Sequence, residues 1–130
     1  MEETAAPRVL VVDDDPLIVR LLELNFRLSG FDVSSASRGD RAVERAMEVD
    51  PDVIVLDVTM PGLDGYEVCR RLRGEDRFAD VPVVFLTAHP QEALEARDLE
   101  VGVVDHVTKP FDPETLIAAV RAAMDRRGAR

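Results

Sequence analysis

Short runs of apolar residues recur along this chain, and longer segments with helical spacing separate them. Consecutive Val, Ile and Leu residues without alternation are typical of strands buried on both faces, which occur in parallel sheets covered by helices on each side. Four such runs predict strands at Val9–Val12, Val53–Leu56, Val83–Leu86 and Val103–Val107, and Phe31–Ser35 is a weaker candidate for a fifth. Five strands alternating with five helices, (βα)5, predict a doubly wound five-stranded parallel α/β fold, because right-handed crossovers place helices on both faces.

The first and last predicted helices have clear starting signals. Asp15-Pro16 and Asp112-Pro113 each place a capping acid before a proline in the first turn. Gly30 predicts the end of the first helix. The fourth predicted helix, around Glu92–Leu99, has the weakest apolar stripe. We expect the first helix to carry its apolar face at Leu17, Leu21, Leu24 and Leu28, with Ile18, Leu22 and Phe26 beside it.

Composition favours a single folded domain over residues 1–130. The chain is 46% hydrophobic and 32% charged, which argues against disorder. The core is expected at about residues 8–124, the extent of the family resemblance given below, between short flexible termini. The net charge of −10 disfavours direct binding of nucleic acid, because phosphates would be repelled. The single cysteine, Cys69, and the lack of a leader or membrane-spanning run favour a cytoplasmic location without a membrane partner.

Four predicted strands lead to residues that can handle a phosphoryl group. Because the carboxyl ends of parallel strands meet at one edge of the sheet, these side chains are expected to converge there. Clustered carboxylates suit a hard cation such as Mg²⁺. A carboxylate can also attack phosphorus, with a nearby cation and hydroxyl stabilising the transferred group. The acids are Asp13, Asp14 and the nucleophile candidate Asp57, the hydroxyl is Thr87 and the cation is Lys109, while Asp15 is assigned to helix capping.

The segments VLVVDDDP, VIVLDVTMPGLDGYE, VVFLTA and HVTKPF resemble those of the receiver domain of two-component response regulators. The similarity covers roughly Arg8 to Met124, and the chain resembles single-domain, chemotaxis-type receivers. It implies a flavodoxin-like three-layer sandwich with sheet order 2-1-3-4-5. It also implies a signalling protein that catalyses only its own phosphorylation and dephosphorylation, as a monomer or a weak phosphorylation-dependent dimer.

The resemblance assigns a role to each residue of the predicted site. Asp57 would accept a phosphoryl group from a sensor histidine kinase or a phosphotransfer protein. Mg²⁺ or Mn²⁺ would be held by Asp13, Asp14, Asp57 and the backbone carbonyl of Thr59. Pro110 would follow a cis peptide bond, which an X–Pro pair tolerates.

The resemblance also implies a switch. Lys109 and Thr87 would contact the phosphoryl group and bias a face made by the fourth predicted helix, the fifth strand and the fifth helix, which would bind a downstream protein. The family usually has Tyr or Phe three residues before the lysine, where this chain has His106. His106 either rotates as a switch residue or is a solvated strand residue without a role. Thr59 and His89 occupy two positions that tend to tune the phosphoryl lifetime.

Three other interpretations stay open. A pseudo-receiver would dock partners without phosphorylation, and a longer regulator with an output domain would contain this chain as one part. A haloacid-dehalogenase-type phosphatase would need a second acid two residues after Asp57, where Thr59 stands. Each site residue also has an ordinary explanation, since strand-end acids can be solvated and Thr87 is a common type of strand residue.

Overall fold

The computed structural model describes residues 6–60, 63–88 and 105–128. Within these ranges the strands are β1 (Arg8–Val12), β2 (Asp32–Ala36), β3 (Val53–Asp57), β4 (Val83–Thr87) and β5 (Asp105–Thr108). The α-helices are α1 (Pro16–Leu28), α2 (Gly39–Val49), α3 (Gly65–Arg73) and α4 (Pro113–Gly128), and a short 3-10 helix spans Asp76–Phe78. The predicted helix at Glu92–Leu99 and the first residues of the predicted run Val103–Val107 lie outside the described residues, so α4 is the fifth predicted helix.

The five strands form one parallel sheet in the order β2-β1-β3-β4-β5. This confirms the order that the sequence resemblance implies. Asp57 is paired in register with Leu86, and Thr87 with Thr108. The last residues of β3, β4 and β5 therefore lie along the same edge of the sheet.

Two buried clusters explain why the strand runs do not alternate in hydrophobicity. Leu10 and Val12 of β1 pack on one face of the sheet with α2 and α3, whereas Val9 and Val11 pack on the other face with α1 and α4. Both faces of the central strands are thus covered, and the molecule has three layers. Among the helices in the described ranges, none is long and apolar enough to cross a membrane.

The structure decides which of the two apolar stripes of α1 is buried. Leu22 and Phe26 are buried against the sheet with Ile18 beside them, and the Phe26 ring meets Phe31 edge-on at 5.0 Å. The neighbouring face, formed by four leucines, points outward. We call it the leucine stripe, and its exposed fractions are 76% for Leu17, 39% for Leu21, 57% for Leu24 and 77% for Leu28.

The sequence alone does not distinguish the two stripes of α1. Both sets of residues have helical spacing, so both form continuous apolar stripes on neighbouring faces of one helix. Only one of these two faces can pack on the sheet, and it is the face that carries Phe26. The spacing of the leucine stripe, four then three then four residues, is that of a seam between two helices.

The predicted ends of α1 are confirmed. The side chain of Asp15 accepts a hydrogen bond from the backbone N–H of Leu17 at 2.9 Å, and Pro16 occupies the first turn. Gly30 follows the helix with a φ of 91°, a conformation that favours glycine. The guanidinium of Arg121 on α4 donates to the carbonyl of Ser29 at 2.9 Å, which ties the end of α1 to the neighbouring helix.

The two faces of α1 are expected to respond differently to truncation. Leu22→Ala should lower the free energy of unfolding by about 2–5 kcal/mol, because it leaves a cavity in the core. Leu24→Ala is the matched control on the leucine stripe and should cost less than about 1 kcal/mol. Urea denaturation followed by far-UV circular dichroism measures both, and equal losses would contradict this orientation of α1.

Candidate functional site

Three buried polar side chains lie at the carboxyl edge of the sheet. Asp13 follows β1 and is 0% exposed, while Asp57 and Thr87 end β3 and β4 and are each 4% exposed. Aspartate is rarely buried to this extent unless it is paired or holds a cation. Burial of two aspartates on neighbouring strands therefore marks this edge as a site.

Lys109 supplies the positive charge at this edge. Its ammonium nitrogen Nζ lies 3.1 Å from Asp13 Oδ2 and 3.4 Å from Asp57 Oδ2. The backbone N–H of Lys109 donates to the carbonyl of Thr87 at 2.8 Å, which extends the pairing of β5 with β4 by one step. The peptide bond between Lys109 and Pro110 is cis, as the resemblance implies. One ammonium thus bridges two buried carboxylates from different strands.

The environment shifts the pKa values of the paired groups. Burial, followed by repulsion from Asp13, raises the pKa of Asp57 to about 6, although Lys109 and the N–H of Thr59 act in the opposite direction. Partial burial disfavours the charged form of Lys109, but its contacts with Asp13 and Asp57 outweigh this and raise the pKa of the ammonium. At neutral pH Asp57 is therefore mostly ionised, and Lys109 remains charged.

The acids outnumber the ammonium at this edge. Asp13, Asp14 and Asp57 each place a carboxylate oxygen within 4.8 Å of the others, and Asp14 is exposed to solvent. Buried Asp13 Oδ2 makes its ion pair with Lys109 but no hydrogen bond of good geometry. Carboxylate oxygens with unused acceptor capacity, facing a common centre, suit a hard cation. The predicted metal-binding acids are thus brought together.

The segment after β3 folds back onto Asp57. The backbone N–H of Thr59 donates to Asp57 Oδ1 at 3.2 Å, and the N–H of Gly65 donates to the carbonyl of Val58 at 2.8 Å. A Cβ on Gly65 would lie 2.6 Å from the carbonyl oxygen of Asp57, so only glycine fits there. Asp64 caps α3 by accepting a hydrogen bond from the N–H of Glu67 at 2.9 Å. Helix α3 therefore begins in direct contact with the backbone of Asp57.

Comparison with known proteins identifies the architecture. The response regulator receiver domain family matches residues 9–121. The chain belongs to this family. Receiver domains are signalling domains of two-component systems, and the phosphoacceptor role follows for this chain as a member of the family.

Relatives of this receiver domain include longer regulators. It is 42% identical over 120 residues to the DNA-binding dual master transcriptional regulator RpaA of Synechocystis sp.. That alignment covers 92% of the chain but 50% of RpaA, so the chain spans about half the length of this relative. Because RpaA binds DNA, our expectation that this chain does not contact nucleic acid directly stays a prediction.

Two solved structures share the fold. Chemotaxis protein CheY4 of Vibrio cholerae superposes with a TM-score of 0.89 and is 29% identical, over 92% of this chain and 99% of that one. The receiver domain of sensor histidine kinase PA1611 of Pseudomonas aeruginosa has a TM-score of 0.83 and 29% identity, over 93% and 98% of the two chains. That structure has a magnesium ion coordinated in its active site cleft.

Of the two histidines singled out from the sequence, the described residues include only His106, the candidate switch residue. His106 is half-buried in β5, where its ring lies 6.0 Å from the ring of Phe85. Phe85 in turn meets Tyr66 of α3 edge-on at 4.8 Å. This aromatic row was missed from sequence, although the strand pattern could have revealed that Phe85 and His106 are neighbours. His89 lies outside the described residues.

The raised pKa of Asp57 predicts a pH-dependent stability in metal-free buffer. The folded chain binds the Asp57 proton more readily than the unfolded chain, whose carboxyl has an ordinary pKa of 3.8. The stability contributed by the protonated form is therefore complete below pH 3.8 and is lost as the pH rises through about 6. Asp57→Asn should consequently be more stable than the wild type above about pH 6, with an advantage that shrinks as the pH falls towards 3.8.

Urea denaturation in the presence of a chelator, repeated across this pH range, measures the difference. Asp32→Asn is a suitable control, because Asp32 is an exposed acid at the opposite end of the sheet. A stability difference between Asp57→Asn and the wild type that does not change with pH would contradict the raised pKa.

Proposed function

We propose that Asp57 is the phosphoacceptor of this receiver domain and takes its phosphoryl group from the phosphohistidine of a histidine kinase or phosphotransfer protein. The observation that carries the proposal is the buried carboxylate of Asp57, held 3.4 Å from the ammonium of Lys109 at an edge where acids converge. A carboxylate without such a partner would repel an incoming phosphoryl group more strongly.

The chemistry is a single displacement at phosphorus. A carboxylate oxygen of Asp57 attacks the phosphorus, the bond from phosphorus to the donor imidazole breaks, and the imidazole leaves with that electron pair. Lys109 lies close enough to Asp57 to neutralise charge on the phosphoryl oxygens, and the hydroxyl of Thr87 is at the adjacent strand end. Mg²⁺ or Mn²⁺, held by Asp13, Asp14, Asp57 and the Thr59 carbonyl, would supply further positive charge.

The same contacts provide a switch. Lys109 is shared between Asp13 and Asp57 before phosphorylation, and phosphoryl oxygens on Asp57 would compete for its ammonium. Movement of Lys109 and Thr87 would be transmitted to β5 and α4, which together with the fourth predicted helix would form the surface for a downstream protein. His106 lies on β5. His89 and Thr59 would set the lifetime of the phosphoryl group.

The leucine stripe gives the phosphodonor a surface to bind. Leu17, its first residue, lies two positions after Asp15, so the stripe begins beside the acid cluster and runs along α1 away from it. A donor protein that packs on this stripe would bring its phosphohistidine towards the site. Four leucines on one short helix cover less area than a stable dimer interface needs, which suits a transient complex.

The site supports transfer to Asp57 better than the alternatives. An intact pair of Asp57 and Lys109 favours a phosphorylated receiver over a pseudo-receiver. Thr59 stands where a dehalogenase-type phosphatase needs an acid, so we propose that the chain does not turn over other substrates. We also propose that it works in the cytoplasm as one receiver domain.

Phosphorylation can be tested without a partner protein. Incubation with Mg²⁺ and acetyl phosphate should add one phosphoryl group, detected by intact mass spectrometry, and the adduct should be stable in acid and labile in base. Asp57→Asn should abolish the modification, whereas the control Asp32→Asn should be modified like the wild type. A wild type that stays unmodified would favour the pseudo-receiver, and steady release of phosphate from a small ester would favour the phosphatase.

Docking on the leucine stripe predicts that protein and small-molecule donors are affected differently. The donor in this test is the autophosphorylated kinase that reacts fastest with the wild type. Phosphoryl transfer from this kinase to Leu24→Glu should be about tenfold slower or more, because the substitution buries a charge in the interface. Phosphorylation by acetyl phosphate should not change. Met47→Glu, at a 40% exposed position on α2, is the matched control. Equal transfer rates for Leu24→Glu and Met47→Glu would exclude the stripe as the donor surface.

A further inference from the structure

The amino end of α2 meets Leu63, which lies just before α3, with no space for a side chain. Gly39, the first residue of α2, is buried. A Cβ on Gly39 would overlap the carbonyl oxygen of Leu63 and lie 3.1 Å from the Leu63 carbonyl carbon and Cβ. Gly39 does not have a positive φ, so its backbone conformation is open to other residues. Glycine is required here for space and not for conformation.

The residues that follow Leu63 contact the backbone of Asp57, the proposed phosphoacceptor. Leu63 precedes Asp64, the cap of α3, and Gly65 then packs against the carbonyl of Asp57 and donates to the carbonyl of Val58. Two contacts without a side chain, one at Gly39 and one at Gly65, therefore connect α2 to Asp57 through backbone atoms. A side chain in such a contact can rotate to absorb a small displacement, but packed backbone must move as a whole.

Helix α2 is itself held along its length. Ala42 and Ala46 are buried in the core, and the guanidinium of Arg45 donates to the carbonyl of Ser35 on β2 at 3.2 Å. Near the other end, Arg77 pairs with Asp50 at 3.1 Å. A group added at Gly39 would therefore displace Leu63 more readily than it would displace α2.

We propose that Gly39 is a positioning residue of the phosphoacceptor site. Its bare Cα lets the start of α2 set the position of Leu63 and, through Gly65, that of the backbone at Asp57 and Val58, next to Thr59. The inference rests on the proposed function, in which Thr59 supplies its backbone carbonyl to Mg²⁺. Mg²⁺ requires near-ideal octahedral geometry, and a displacement of about 1 Å can slow a reaction about 100-fold. Such a shift is expected to affect the stability of the fold less than it affects Mg²⁺ binding and phosphoryl transfer at the site.

Gly39→Ala tests this inference, with Gly74→Ala as its matched control. Gly74 follows α3, and a Cβ there would meet the Arg71 carbonyl at 3.3 Å, a tight contact far less severe than the one at Gly39. We expect Gly39→Ala to raise the Mg²⁺ dissociation constant about tenfold, measured by calorimetry. Its phosphorylation by acetyl phosphate should slow about tenfold or more. In metal-free samples the amide resonances of Thr59 and Gly65 should shift in Gly39→Ala and not in Gly74→Ala.

A second pair of variants tests the same contact from the other side. Leu63→Ala and Leu63→Gly lose nearly the same packing on the core, but only glycine frees the backbone that Gly39 restrains. We expect Leu63→Gly to bind Mg²⁺ severalfold more weakly than Leu63→Ala. If thermal denaturation shows that Gly39→Ala does not fold, this pair of Leu63 variants tests the positioning role of Gly39 instead.

The outcomes separate this inference from the proposed function. A wild type that acetyl phosphate does not modify would overturn the proposed function. A normally modified wild type with an equally competent Gly39→Ala would overturn the positioning role alone. Equal Mg²⁺ affinities for Leu63→Gly and Leu63→Ala would also overturn it. Reduced Mg²⁺ affinity in Gly39→Ala, with the Thr59 and Gly65 amides shifted and the fold retained, would establish it.

Discussion

The ammonium group of Lys109 pairs with two buried carboxylates at the carboxyl edge of the sheet. Lys109 reaches the buried carboxylates of Asp13 and Asp57, which come from different strands and would otherwise repel one another in a poorly solvated space. Burial, followed by repulsion from Asp13, keeps the pKa of Asp57 raised to about 6 even with Lys109 in contact. Among the described residues, this edge holds three clustered carboxylates and the one ammonium of Lys109. The site is short of positive charge, and this shortage suits it to a cation and to a reaction in which charge develops on phosphoryl oxygens.

The sheet and its two helical layers give the site different properties on its two sides. On the α3 side, Gly65 packs directly on the backbone of Asp57, and Gly39 of α2 packs on Leu63 nearby, so this side is held by rigid backbone contacts. On the α1 side, the leucine stripe leaves an apolar surface open beside the acids. A phosphoacceptor needs both properties, since the metal ligands must be fixed while a donor protein must approach and leave.

Much of this arrangement could be predicted from local sequence. Unbroken apolar runs identified buried parallel strands, and the residues after those runs were necessarily placed at one edge, which brought Asp13, Asp57 and Lys109 together. Asp15 was correctly assigned to the cap of α1, because an acid before a proline has a local role that requires no distant partner. The strand order and the cis bond before Pro110 followed from the family resemblance and not from periodicity.

Other features depend on contacts between residues far apart in sequence. Two apolar stripes on α1 look alike in the sequence, and only packing against the sheet decided that Phe26 is buried and Leu24 is exposed. The space that excludes a side chain at Gly39 exists only because Leu63 arrives from another segment. The sequence by itself therefore determined which chemical groups reach the site, because strand ends are local signals. Tertiary structure alone decided how tightly those groups are held and which surface remains open, because both depend on which elements become neighbours.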